Sequence, residues 1–262
     1  MDFSWQHITS HARVPNGCYA TKTFDQHSVG WCGCCYVVAV VQVVEDRGHV
    51  ALPKTPRHVV DMQTVVNHFN TSHKLDDQTW NACHGGYPMH VVECLISGAC
   101  PLITSKRKRW LGHPVRTTNT PLSTAPFSIA SVERRSTEQI QQEIQDNGPV
   151  VLEISAQTLK SIDARGVVMD LTAQFPNHAV AVVGWKQTHA GPAWVVRNSW
   201  GRNRVPSALP DDVSCVNEDE NNCQVQWEYW VGDPLVPGFC YLPMTYPPLH
   251  TSDPWIVPHV IK

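Results

Sequence analysis

Residues 32–47 read CGCCYVVAVVQVVEDR, a run of valines that follows three closely spaced cysteines. β-Branched residues dominate the part from Cys35 to Arg47, so propensity alone predicts a strand. The apolar run is longer than a typical strand and covers nearly every side, which predicts a buried helix instead. Glu45, Asp46 and Arg47, with Gly48 just after them, predict that this helix ends there.

Cys35 opens this predicted helix, where unpaired N–H groups and the positive end of the helix dipole lower the pKa of a thiol. Far downstream, His178 lies in PNHAVAVVGW and Asn198 lies in WVVRNSWG. Cleavage of a peptide bond by a thiol needs a thiolate, a histidine that takes and returns the proton, and a group that orients the imidazole. Cys35, His178 and Asn198 together meet this need.

The second half of the chain carries one helix signal followed by several strand signals. Residues 136–139 form a capping-box pattern, and the helix that they start is predicted to end at Gly148. VVLEIS from Val150, AVAVVGW from Ala179 and AWVVRNSW from Ala193 predict strands. The second half is therefore predicted to be mainly β, and together with the helix that starts at Cys35 this indicates the α+β class.

Four motifs follow one another along the chain: CGCCY at 32–36, CHGGYP at 83–88, NHAVAVVGW at 177–185 and WVVRNSWG at 194–201. Their order and separations resemble those of the papain family of cysteine peptidases. The resemblance implies a papain-like two-lobe fold, with a helical left lobe, an antiparallel β-barrel-like right lobe and the active-site cleft between them. Composition changes between Lys106 and Pro126, so we place the lobe crossing there. Residues 15–115 then form the left lobe, and residues 116–262 with 1–14 form the right lobe.

The resemblance also implies the catalytic roles. Cys35 is expected to be the nucleophile, His178 its ion-pair partner and Asn198 the residue that orients the imidazole. Trp200 is expected to shield the bond between His178 and Asn198. The side chain of Gln26 and the backbone N–H of the nucleophile are expected to form the oxyanion hole, which stabilises the charge that develops on the carbonyl.

The wall of the cleft and one disulfide follow from the same resemblance. Gly85, Gly86 and Tyr87 match the wall that binds the substrate backbone and lines the main side-chain pocket, where glycine allows close approach of another chain. Cys83 is expected to pair with Cys32. The partners of the remaining cysteines stay open, because one sequence does not fix disulfide connectivity.

Five residues, His27 to Trp31, separate Gln26 from Cys32, whereas most members of the family have two there. The length and leading histidine of this insertion are similar to the mini-loop of the cathepsin X (cathepsin Z) members, which are lysosomal carboxypeptidases. A histidine on such a loop can bind the carboxylate of a peptide's last residue, while the loop blocks longer substrates. We therefore expect a cysteine carboxypeptidase with His27 as its substrate anchor, and activity that falls when His27 loses its proton. Two alternatives stay open, a papain-like endopeptidase and a catalytically silent papain-fold binding or assembly protein.

Two features depart from the family pattern. Cys34 stands where a small Ser or Ala is expected, and it either packs as a small apolar residue or captures Cys35 under oxidation. Packing is favoured, because strain makes vicinal disulfides uncommon. The second Trp-Gly motif of the family is not recognisable in residues 202–234, where the acidic stretch 211–223 is expected to be a solvated loop clipped by its two cysteines rather than a calcium site.

Composition narrows the partners. Twenty Lys and Arg against 23 Asp and Glu leave a net charge of −3, which does not favour nucleic acid, and the basic residues 106–109 are expected to form an exposed turn. No apolar run is long enough to span a bilayer, and no residue spacing indicates a metal or cofactor site. We expect a monomer that meets peptide or protein substrates and protein inhibitors.

The cellular compartment is inferred from three features. Ten cysteines and the sequon Asn70-Thr71-Ser72 favour the secretory pathway. The family resemblance implies a lysosomal or secretory location. The start MDFSWQHITS lacks the basic and apolar regions of a signal peptide, so another compartment stays open.

Overall fold

The valine-rich run forms helix α1, Cys35–Ala51, which is buried from Tyr36 to Gly48. The computed structural model describes residues 2–8, 11–15, 17–55, 60–72, 82–100, 103–104, 110–114, 123–124, 126–172, 175–201, 204–206, 227–229, 238–246 and 255–261. Helix α1 packs against other helices on one side and against strands on the other. Apolar residues are therefore needed around its whole circumference, which confirms the prediction of a buried helix.

The predicted end of this helix at Gly48 is wrong. Asp46 and Arg47 do not stop the helix, because they bind partners from the second half of the chain. Asp46 pairs with Arg197 at 2.7 Å, and Arg47 pairs with Glu143. Gly48 is also not a cap, since a Cβ atom there would lie 2.5 Å from the ring of Phe127. The close approach of this ring favours glycine inside the helix.

The other helices are α2 (Met62–Ser72), α3 (Pro88–Ile96) and α4 (Thr137–Asn147), with short 3-10 helices at Ala82–His84 and Ala156–Ser161. Helix α4 confirms the helix signal that starts at Ser136, which occupies the N-cap position. The Ser136 side chain makes no capping hydrogen bond within the described part of the chain, so that detail of the prediction is wrong. Helix α4 is held instead by fully buried Ile140 and Ile144, and it ends before Gly148, whose φ is 111°.

Seven strands form one antiparallel sheet in the order β10-β7-β6-β5-β11-β4, with β1 paired to β6. Their bounds are β1 Phe3–Ser4, β4 Ser128–Arg135, β5 Val150–Ile154, β6 His178–Thr188, β7 Gly191–Arg197, β10 Phe239–Pro243 and β11 Trp255–Ile261. Two small ribbons pair β2 (Ile103–Thr104) with β3 (Ser123–Thr124) and β8 (Arg204–Pro206) with β9 (Trp227–Tyr229). The predicted α+β class is confirmed, but across the described strands the sheet does not close into a barrel.

Two hydrophobic clusters fill the interior. One surrounds α1, and it also takes in Val151 and Ile256 from the sheet. The other lies among the strands, α4 and the N-terminal segment, with Trp194 and Trp255 at 5.0 Å between ring centroids. Because β6 contributes to the cluster around α1, the helix is packed against the strand that begins at His178.

Several predicted features lie outside the described residues. They are the lobe boundary at residues 115 and 116, the basic cluster at residues 106–109 and the acidic stretch at residues 211–223. Among the helices of the described ranges, none combines the length and the apolar character needed to cross a membrane.

Candidate active site

Helix α1 and strand β6 place the predicted nucleophile next to the predicted base. Cys35 is the first residue of α1, and His178 is the first residue of β6. The thiol of Cys35, a residue of intermediate exposure, lies against the backbone N–H of Ala179, the residue that follows His178. Segments that are 143 positions apart in the sequence are thus brought together at the start of the central helix.

The imidazole of His178 is held by β7 and the residues after it. Its Nε2 lies 2.7 Å from Oδ1 of Asn198, which also accepts the backbone N–H of Ser199 at 2.8 Å. Since an amide oxygen only accepts, Nε2 carries the ring proton and Nδ1 is left as the base. The ring of Trp200 stacks on the imidazole at 4.6 Å between centroids, and both residues are buried. The ring therefore keeps water from the bond between His178 and Asn198.

The side chain of Gln26 is fixed beside these residues. Residues 24–26 pair with residues 199–201, as Gln26 N–H donates to Ser199 O and Gly201 N–H donates to Phe24 O, each at 3.0 Å. The Gln26 amide donates from Nε2 to Cys32 O at 2.7 Å and accepts the Ser199 hydroxyl at 2.5 Å. An amide nitrogen has two protons, so one remains to serve as an oxyanion donor. Ser199 orients this amide, a role that sequence reasoning missed although Ser199 lies inside the motif WVVRNSWG.

The electrostatics of the pair differ from the sequence expectation. Burial raises the pKa of the Cys35 thiol to about 11. The backbone N–H groups of Ala179, Tyr36 and Cys35 have the opposite, smaller effect, because they favour the thiolate. Burial also lowers the pKa of His178 to about 4, against the opposite effect of the bond to Asn198. The N–H groups at the start of α1 act on the thiol pKa in the predicted direction, but the loss of hydration outweighs them, so the net shift is upward. Taken singly, each group is neutral at pH 7.

The insertion from His27 to Trp31 lies directly beside Gln26. The His27 backbone N–H donates to Asp25 Oδ1 at 3.0 Å, and the ring Nδ1 accepts the backbone N–H of Cys32 at 3.2 Å. The ring is 9% exposed and lies 6.4 Å from the ring of Trp31. Because Nδ1 accepts an N–H, the ring proton resides on Nε2 and the imidazole is neutral in this geometry. Nε2 is therefore the ring nitrogen that can donate to a substrate carboxylate, and the expected dependence of activity on the charge of His27 stays a prediction.

The predicted wall of the cleft adjoins the disulfide between Cys32 and Cys83, which confirms that pairing. Gly33 N–H donates to Cys83 O at 2.7 Å, so the wall and the nucleophile's loop are joined by the backbone as well. A Cβ atom on Gly86 would lie 2.7 Å from the ring of Tyr36, which leaves room for glycine alone. Tyr87 projects from the same wall with 64% of its surface exposed.

The structure gives part of the disulfide connectivity that the sequence left open. Cys94 and Cys100 form a second disulfide, whereas Cys18, Cys34 and Cys240 are free thiols. Cys34 is fully buried in the cluster around α1, and burial raises its pKa. This environment is the one that the packing interpretation predicts. Within the described ranges no three His, Cys, Asp or Glu side chains gather in a way that could hold a metal ion.

The model of the papain family cysteine protease matches residues 9–228. The chain belongs to this family. Mouse cathepsin O (Mus musculus) is 23% identical over 174 residues, which cover 65% of this chain and 53% of the relative. Cathepsin B-like cysteine proteinase 5 of Caenorhabditis elegans is 24% identical over 231 residues, which cover 74% of this chain and 65% of the relative. The chain thus spans between about half and two thirds of the length of these relatives.

A solved structure from a study of the mite allergens Blo t 1 and Der p 1 is similar to this one. The alignment has a TM-score of 0.62 at 18% sequence identity, and it covers 98% of this chain and 70% of the other. At this identity the likeness concerns the fold, which is papain-like.

Proposed function

We propose that this member of the papain family is a cysteine peptidase in which Cys35 attacks the substrate carbonyl. The arrangement of His178, Asn198 and Trp200 carries the proposal. The 2.7 Å hydrogen bond between His178 Nε2 and Asn198 Oδ1 leaves Nδ1 of His178 as the proton acceptor. The Cys35 backbone N–H lies in the first turn of α1, where it has no acceptor within the helix. Together with the second Nε2 proton of Gln26, it supplies two donors for an oxyanion.

The reaction then proceeds in two halves. The Cys35 sulfur bonds to the carbonyl carbon, and its proton moves to Nδ1 of His178. The oxyanion collapses as the C–N bond breaks, and His178 returns the proton to the leaving amine. Water then gives a proton to His178 and attacks the carbonyl carbon of the acyl-thioester. The C–S bond breaks, His178 returns the proton to the sulfur, and the acid and the free thiol are released. Because burial disfavours each charge alone, the thiolate and the imidazolium are expected to form together, each as the counterion of the other.

The substrate proposed for this site is the C-terminal end of a peptide. Cys32 connects the two relevant side chains, since its carbonyl accepts Gln26 Nε2 and its N–H donates to His27 Nδ1. A carboxylate held by His27 would therefore lie close to the reacting carbonyl, which suits removal of a single residue. The five-residue insertion, with half-buried Trp31 and exposed Val29, would close this end of the cleft to longer chains.

The test compares peptides with a free and an amidated C-terminus. We expect release of single amino acids from the free form and resistance of the amidated form. His27→Gln should abolish this difference, while His189→Gln, at a surface site where His189 pairs with Asp163, should preserve it. Equal cleavage of amidated peptides by the unchanged protein would contradict the role of His27, and cleavage at internal bonds would favour the endopeptidase alternative.

A second candidate is a catalytically silent papain-fold binding or assembly protein. The burial that disfavours both the thiolate of Cys35 and the imidazolium of His178 favours it. An epoxide inhibitor of papain-type enzymes, followed by mass spectrometry of the labelled peptides, separates the two candidates. Labelling of Cys35 alone supports a peptidase, whereas no labelling, or labelling of Cys34, contradicts the mechanism. Monomeric state, protein inhibitors and a lysosomal or secretory location remain predictions from the family.

A further inference from the structure

Trp110 contacts the one peptide group that connects the oxyanion donor with the insertion. Its indole Nε1–H donates to the backbone carbonyl of Gln26 at 3.0 Å, and its side chain is buried. The ring also meets Phe24 edge to face, at 5.6 Å between centroids. The carbonyl that Trp110 binds belongs to the peptide bond between Gln26 and His27, so its orientation sets the direction of both residues.

The segment that carries Trp110 is itself tied to helix α2. Gln63 on α2 accepts the N–H of Leu111 and donates to the carbonyl of His113, each at 3.0 Å. Gly112, whose φ is 79°, lies so close to the insertion that a Cβ atom there would sit 3.2 Å from Cβ of Val29. The segment therefore supports the insertion at two points, and α2 supports the segment.

The backbone N–H, the side-chain amide and the backbone carbonyl of Gln26 are each held by hydrogen bonds. Ser199 accepts its N–H, and Cys32 and Ser199 hold its side-chain amide. Among the described residues, the indole N–H of Trp110 is the donor to the backbone carbonyl of Gln26. Without that bond the peptide plane between Gln26 and His27 can rotate, and a misplacement of about 1 Å at a catalytic group can cost about 100-fold in rate.

We propose that Trp110 is a positioning residue, which fixes the Gln26 amide for the oxyanion and the His27 ring for the substrate carboxylate. This inference rests on the proposed function and adds a determinant of specificity to it. Core filling alone would also explain a buried tryptophan. The two roles differ in the indole N–H, because packing needs the ring while positioning needs the donor.

Two variants isolate the N–H. Trp110→Phe keeps an aromatic ring against Phe24 and removes the donor to Gln26. Trp194→Phe is the matched control, since Trp194 is 1% exposed and its Nε1 has no acceptor among the described residues. Both variants lose similar ring area from a core cluster, and only the first loses a hydrogen bond to the site.

In Trp110→Phe we expect kcat to fall about tenfold and the preference for free over amidated C-termini to become smaller. Trp194→Phe should keep the kcat and the preference of the unchanged protein. Hydrogen exchange gives a readout that needs no activity: peptides covering residues 26–32 should exchange faster in Trp110→Phe only. Equal kcat and equal exchange in the two variants would overturn the inference. If the unchanged protein cleaves amidated peptides equally well, the carboxypeptidase proposal fails, while a tenfold loss of kcat and faster exchange still support Trp110.

Discussion

Breaking the buried ion pair between Asp46 and Arg197 is predicted to destabilise the protein strongly. Asp46 lies on α1 and Arg197 on β7, their side chains are 0% exposed, and Oδ2 lies 2.7 Å from Nη1. Asp46 Oδ1 also accepts the N–H of Thr21 at 2.7 Å, and Arg197 Nη1 donates to the hydroxyl of Thr21 at 2.7 Å. Arg197 directly precedes Asn198, so this pair also positions the residue that orients His178.

The substitution Asp46→Asn keeps the shape of the side chain and removes its charge. Arg197 then stays buried without a charged partner at this position, and breaking a buried pair in this way costs about 3–5 kcal/mol. At about 2–4 °C for each kcal/mol in a chain of this size, the expected drop in Tm is roughly 6–20 °C. Asp46→Asn combined with Arg197→Met should recover much of this loss, because the second substitution removes the buried charge that the first leaves unpaired.

Thermal unfolding followed by circular dichroism measures the effect. The matched control is Asp146→Asn, since Asp146 pairs with Arg13 at 3.0 Å on the surface, where 44% and 56% of the two side chains are exposed. An exposed pair of this kind contributes less than about 1 kcal/mol. Equal Tm shifts for Asp46→Asn and Asp146→Asn, or a double variant no more stable than Asp46→Asn alone, would refute the argument.

Three further predictions concern the core and the site. Gly48→Ala should destabilise the protein by about 1–2 kcal/mol in urea unfolding, because the Cβ of alanine meets the Phe127 ring. Alanine is otherwise the better helix former, so adding Phe127→Leu should reverse the effect. Burial lowers the pKa of His178 to about 4, so the unfolded chain binds a proton first as the pH falls from 6.5, and stability should decline by up to about 3 kcal/mol towards pH 4. His178→Gln should remove that decline, and a flat profile in the unchanged protein would instead indicate a thiolate–imidazolium pair. Cys34→Ser should retain activity within about threefold and lose about 1–2 kcal/mol of stability, and loss of activity at unchanged Tm would contradict a packing role.

Local sequence patterns predicted the elements better than their ends. The length of the valine-rich run predicted a helix correctly, yet α1 passes Gly48 and continues to Ala51. The reason is that Arg47 and Glu143 are 96 positions apart, and no local rule indicates that such distant charges neutralise each other inside the protein. A stop signal made of charged residues holds only where those residues reach water.

The chemistry of the site shows a similar division. The motifs predicted Cys35, His178 and Asn198 as the catalytic residues, and the structure places His178 Nε2 2.7 Å from Asn198 and the Cys35 thiol against the N–H of Ala179. They did not predict the direction of the thiol's pKa shift, because a shift depends on how much water the folded chain removes from the sulfur. The motifs also contained no sign of Trp110, which lies far from them in sequence and acts only through the fold.

The sequence by itself therefore determined the family, the α+β class and one disulfide, and it predicted the nucleophile and its partners, since motif identity and hydrophobic period are local properties. The tertiary structure decided the end of α1, the hydrogen bond that Nδ1 of His27 accepts, the pairing of Cys94 with Cys100 and the hydrogen bonds that hold Gln26. Each of these depends on contacts between distant segments and on the loss of water around them, and both are properties of the folded chain alone.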